Sequence, residues 1–127
     1  MIKEETKNRK YDLENRLLDF SVHIINTVEA LANTRSGNHI AAQLVRSGTS
    51  VAANYSEAQS AESRRDFIHK MKIVLKELRE TLLWLKIVQR KRLAKHNEGA
   101  GSLITECDEL ISIFVASIKT AERNKER

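Results

Sequence analysis

Glu77 and Glu80 stand one helical turn apart, and carboxylates at that spacing can hold a Mg²⁺ ion for phosphodiester cleavage. Their plainer use, favoured here, is in helix salt bridges with Lys76 and its neighbours across a subunit contact. Asn54 and Glu57 are likewise i, i+3 neighbours that can cap, bridge helices or bind a ligand; a structural hydrogen-bonding role is favoured. The histidines His23, His39, His69 and His96 never pair at i, i+3 or i+4, so no metal site is expected. Cys107 has no histidine near it in sequence and falls on an apolar stripe, which predicts a buried, inert thiol. No glycine-rich phosphate cradle occurs. The sequence predicts no catalytic residues and no cofactor.

A second constellation concerns binding. Arg65, Lys72, Lys76, Arg79, Lys86 and Arg90 recur at steps of 7, 4, 3, 7 and 4, which places them in one line along a helix. No acid shares that line, although exposed helix faces usually interleave Glu with Lys. Such a row suits phosphates, with salt-dependent and weakly sequence-specific binding of RNA or DNA. It carries no aromatic residue, so single-strand readout by stacking is not indicated. A third sector of the same helix holds Ile73, Glu77, Glu80, Trp84, Ile87 and Lys91. Its apolar members point away from the core, and tryptophan is enriched at interface centres, so Ile73, Glu77, Glu80, Trp84 and Ile87 are expected to form an oligomer interface.

The elements that carry these residues follow from periodicity. The chain has 127 residues, no proline, 31% charged residues and 5% aromatics, a composition for long helices rather than sheets. Leu13, Leu17, Phe20, Ile24, Val28 and Leu31 mark a first helix that Asp12 can cap. The stretch 33–38 is the expected first connection, with Gly37 as a break. A second helix, about His39 to Ala58, turns Ile40, Leu44, Ser47, Val51, Tyr55 and Ala58 inward and is otherwise crowded with small residues. Gly48 inside it predicts a close helix approach. Ser63 with Asp66 forms a capping pattern for the third helix, whose core set is Phe67, Met71, Val74, Leu75, Leu78, Leu82 and Leu85. The stretch 95–101 is the last loop, and Ser102 can cap a fourth helix with Leu103, Cys107, Leu110, Ile111, Phe114, Ile118 and Ala121 inward. The expectation is all-α: an antiparallel up-and-down four-helix bundle in a single domain over 1–127. Residues 1–11 (a loose tail or an extra helical turn) and 122–127 read as tails.

Charge and cysteine content narrow the setting. Net charge is +5, but residues 63–96 hold eleven Lys/Arg against three acids, while residues 12–33 carry −3. A lone cysteine, no apolar run long enough to span a membrane and no signal-like N-terminus predict a cytoplasmic protein without a membrane partner.

The stretch from Arg46 to Asn54 (RSGTSVAAN), Glu57-Ala58, Ser63 to Phe67 (SRRDF), Lys76-Glu77, Glu80-Thr81 and Trp84-Leu85 resembles the bacterial four helix bundle protein family. That family is also called the 23S rRNA intervening-sequence protein family. The likeness runs from about Leu13 to Ile118, with Ala58 standing where many members have glycine. The resemblance implies a ring-shaped homopentamer and no enzymatic activity. Some members are encoded inside insertions in large-subunit rRNA genes. A related branch is similar to the accessory protein of diversity-generating retroelements, which binds reverse transcriptase and nucleic acid through basic surfaces. The implied partners are therefore the chain itself, RNA or DNA, and a reverse transcriptase or ribosome-related protein. Two other functions compete with nucleic-acid binding: a scaffold for an acidic protein, and a metal-dependent nuclease built on Glu77 and Glu80.

Overall fold

Apolar residues at heptad-like spacing, with almost no helix breakers, give long helices that must bury one stripe each. The structure, a computed structural model, describes residues 2–95 and 100–125, with side chains over 13–95 and 100–124. It contains α1 (Ile2–Glu29), α2 (Arg35–Gln59), α3 (Arg64–Lys91) and α4 (Ala100–Lys125). Successive helices pack side by side, and α4 closes sparsely on α1, the up-and-down order expected. No described helix is long and apolar enough to cross a membrane.

The core is one continuous cluster. Leu17, Phe20 and Ile24 of α1 meet Leu44 and Val51 of α2, Val74, Leu78 and Leu85 of α3, and Cys107, Leu110 and Phe114 of α4. Tyr55 and Phe114 cross edge to face with centroids 5.8 Å apart. All six inward positions expected on α2 are buried.

Helix α3 departs from the expected core set. Its buried residues are Ile68, Met71, Val74, Leu78, Thr81, Leu85 and Val88, while Phe67, Leu75 and Leu82 are half-buried. From Met71 to Val88 the buried positions step 3, 4, 3, 4, 3. That is the 3.5-residue seam of supercoiled helices, which a 3.6-residue wheel drifts away from by about 20° per heptad. Thr81 fits the seam because its hydroxyl donates to Glu77 O at 2.7 Å and lies 2.9 Å from Ser47 Oγ on α2.

The helix ends also differ from expectation in places. Helix α2 starts at Arg35, because Thr34 caps it by accepting from Gly37 N at 3.0 Å. Gly37 is thus inside the first turn and buried, and a Cβ there would lie 2.0 Å from Ala32 O. Its role is close approach, not termination. Ser63 caps α3 as expected, accepting from Asp66 N at 3.0 Å. Asp12 lies within α1, and Ser102 lies inside the first turn of α4. Residues 96–99 of the expected last loop, His96 among them, fall outside the described residues.

Two loops are tied together at one end of the bundle. Ala32 N donates to Leu93 O at 2.8 Å, and Lys95 N donates to Ala30 O at 2.9 Å, forming an isolated antiparallel bridge between Leu31 and Ala94.

At Gly48 α2 packs close on α1: a Cβ there would stand 2.7 Å from Ile24 Cγ2. Gly48→Ala should therefore destabilise the fold by about 1–3 kcal/mol through overpacking, despite alanine's better helix propensity. Urea denaturation measures this loss, and combining the change with Ile24→Ala, which removes the two γ carbons that the new Cβ would strike, should cost less than the sum of the two single changes.

Candidate nucleic-acid interface

The outward arc of α3 is divided by its neighbours. On the flank beside α4, Arg65, Lys72, Lys76, Arg79, Lys86 and Arg90 are all exposed. Lys72 Nζ lies 3.4 Å from a Glu122 carboxylate on α4, an exposed pair that water screens heavily. The other five have no ion-pair partner among the described residues. The row is thus a line of solvated cations on one rigid helix, the arrangement expected from the spacing.

The flank beside α2 is different. Arg46 of α2 donates to Glu77, at 3.5 Å, and to Glu80. The guanidinium occupies the space between the carboxylates that a divalent cation would need. Among the described residues no cluster of three metal-ligating acids, histidines or cysteines occurs. Trp84 is half-buried against the core and meets His39 edge to face, with centroids 6.3 Å apart. Its Nε1 is buried with no hydrogen-bond partner among the described residues. Ile73 and Ile87 are half-buried alongside. Glu77, Glu80 and Trp84 therefore make contacts within the chain, between α2 and α3.

The remaining polar candidates are also internal. Asn54 Nδ2 donates to Ser50 O of its own helix at 2.8 Å, and Glu57 bridges to Lys70 of α3 at 3.3 Å. A second arginine, Arg16 of α1, reaches Glu106 and Glu109 of α4, with Nη2 3.1 Å from the Glu109 carboxylate. The hydrogen bond to Glu106 chiefly raises the Arg16 pKa. Cys107 is buried and lies 3.3 Å from Leu78 O. Burial pushes its thiol up to about 12, with smaller help from Asp108 and Glu106.

Sequence reasoning missed two apolar features of the surface. Leu18, Val22 and Ile25 of α1 are 51%, 53% and 41% exposed, and form a second stripe on a helix whose first stripe fills the core. Leu83, 55% exposed, sits inside the basic row between Arg79 and Lys86. The signal was present in the spacing, since 18, 22 and 25 repeat at 4 and 3, but the stronger core stripe of α1 obscured it. An open groove of about 800 Å³ lies where the end of α2, the turn after it and the start of α3 face the end of α4, lined by Ala58, Phe67, Ala116 and Ala121 with Arg64 among its polar residues.

The sequence matches the 23S rRNA-intervening sequence protein description over residues 9–116. The chain belongs to the 23S rRNA-intervening sequence protein family. A search of the curated proteins finds no match. Among solved structures it is similar to a protein of unknown function from the S23 ribosomal protein family of Bacteroides thetaiotaomicron. The two are 34% identical, the likeness covers 84% of this chain and 97% of that one, and the TM-score is 0.74. This 23S rRNA-intervening sequence protein thus shares its fold with a solved relative over 84% of its length.

Cys107 should resist a soluble thiol reagent at about pH 8 in the native protein and react once unfolded. A native thiol protonated up to about 12, against 9.0 as the ordinary value, stabilises the fold fully below the ordinary value. That contribution is lost as pH rises between the two. Cys107→Ala should accordingly flatten the alkaline limb of the stability-versus-pH curve measured by denaturation.

Proposed function

We propose that this protein is a non-enzymatic, self-associating helical bundle that binds RNA or DNA through the α3 basic row, as an accessory to a larger nucleoprotein assembly. The observation that carries this is the row itself: six exposed cations in one line, five of them without an ion-pair partner among the described residues. A solvated face would place acids among them, and among the described residues the one ion pair that the row makes is Lys72 with Glu122 of α4. Arg46 neutralises one of the two charges on Glu77 and Glu80, so the α2 flank sets only about one net negative charge against the row.

The neighbourhood of 23S rRNA in the family's name agrees with a polyanionic partner. Phosphate contacts would supply most of the affinity, with little sequence preference. Self-association, as a ring of five by the resemblance, would repeat around the ring whatever part of the row it leaves uncovered. Arg46 between Glu77 and Glu80 disfavours the nuclease alternative.

Binding of a short RNA duplex should weaken steeply with salt. Arg65→Gln with Lys72→Gln should reduce the slope of log affinity against log salt by about 2, one contact per cation. Replacing all six row residues with glutamine should abolish binding, as measured by fluorescence anisotropy. Unchanged affinity in the six-fold variant would reduce the row to a solvated face, and a protein indifferent to RNA that binds an acidic protein would favour the scaffold alternative.

A further inference from the structure

The exposed strip of α1 and the basic row of α3 match each other. On α1, Glu14, Leu18, Val22, Ile25 and Glu29 follow at steps of 4, 4, 3 and 4, all exposed. On α3, Lys76, Arg79, Leu83, Lys86 and Arg90 follow at steps of 3, 4, 3 and 4, also all exposed. The first strip is apolar between two acids. The second has one exposed leucine between two pairs of cations. At about 1.5 Å per residue, each spans about 21–23 Å. None of the four charged end residues, Glu14, Glu29, Lys76 and Arg90, has an ion-pair partner among the described residues.

Their placement rules out pairing within one molecule. Leu18 borders a groove shared with Ala52 and Ala53 of α2, so the strip looks out on the α1–α2 side. Lys72 reaches Glu122 of α4, so the row looks out on the α3–α4 side. These are opposite faces of the bundle. Helices α1 and α3 run parallel in the up-and-down order, and the Leu31–Ala94 bridge puts Glu29 and Arg90 at the same end. The contacts of Gly48 with Ile24 and of Ser47 with Thr81 keep strip and row level to within about one turn, ~5 Å. A second copy set beside the first in the same orientation would therefore lay its strip along the row. Glu14 would meet Lys76, Val22 would meet Leu83, and Glu29 would meet Arg90.

We propose that this is how the chain associates with itself: a head-to-tail contact in which the α1 strip of one copy docks on the α3 row of the next. Leu18 and Ile25 pack on the aliphatic stems of Arg79 and Lys86, whose charged heads stay in water. The end pairs fix direction and register, and opposite patches on the two partners speed encounter. Such a contact uses different surfaces on the two copies, so it repeats around a ring or along a fibre and does not stop at a dimer. It also covers Lys76 to Arg90, leaving Arg65 and Lys72 outside the contact. Docking and polyanion binding then compete for one surface, and the acidic ends of the strip stand where phosphates would. This rests on the self-association part of the proposed function and adds its surface and its consequence.

The test is a charge swap read by light scattering across protein concentration, with helicity checked by circular dichroism. Wild type should exceed the mass of a dimer. Glu14→Lys with Glu29→Lys should raise the dissociation constant by about tenfold or more, as should Lys76→Glu with Arg90→Glu. The chain with all four substitutions should regain the wild-type mass, because the pairs are restored with reversed sign. A short RNA duplex should lower the wild-type mass, and the Glu14→Lys, Glu29→Lys variant should bind it at least as well as wild type. A wild type that is monomeric or stops at two, a four-fold variant that stays dissociated, or loss of mass in Trp84→Ala with the charge variants unaffected would each overturn the proposal. RNA binding by a monomeric wild type would sink this contact while sparing nucleic-acid binding. Charge-swap behaviour as described without any RNA binding would do the reverse.

Discussion

Helix α2 must fit between two neighbours at short range, and the rest of the bundle depends on how little side chain it carries. Gly48 lets Ile24 of α1 approach to a distance that any Cβ would block. One residue earlier, Ser47 meets Thr81 of α3 through a buried hydroxyl pair at 2.9 Å. The hydroxyls also reach backbone carbonyls of their own helices, Leu44 O and Glu77 O, so the polar atoms at this crossing are satisfied rather than stranded. A larger residue at either position would push α2 off α1 or α3 and open the core around Leu44 and Val51.

With α2 held close, the charges sort themselves by flank. Arg46 takes Glu77 and Glu80 on the α2–α3 side, and Arg16 takes Glu106 and Glu109 on the α1–α4 side. Each arginine spans two carboxylates one turn apart on the neighbouring helix. Four of the chain's acids are thereby committed to joining helices. The outer row of α3 is left with Glu122 as its one acidic contact among the described residues. The positive face of the molecule is as much a product of where the acids are used as of where the cations lie.

Much of this was legible in the sequence. The four helices, the inward set of α2, the tight point at Gly48, the buried Cys107 and the line of six cations all follow from spacing and residue type. What escaped depends on facts that a single helix does not encode. Thr81 looked polar, and only the 3.5-residue seam and the facing Ser47 make it core. The contacts that Glu77, Glu80 and Trp84 make within the chain are with Arg46 and His39, which are far from them in sequence and beside them in space. Gly37 looked like a break because glycine often is one, but Thr34 supplied the stronger local signal by capping the helix. The stripe at Leu18, Val22 and Ile25 was masked by a better stripe on the same helix.

The bridge between Leu31 and Ala94 makes the two ends of the bundle unequal. At one end, both long-range loops are stitched by backbone hydrogen bonds of 2.8 and 2.9 Å. At the other lie the short turn after α2, the start of α1 and the end of α4, with no such long-range backbone pair among the described residues. Opening motions in such a molecule have a direction. Helices α1 and α4 would peel first from the unstitched end, so the amides of Ala32 and Lys95 would exchange with solvent later than those of the turn after α2.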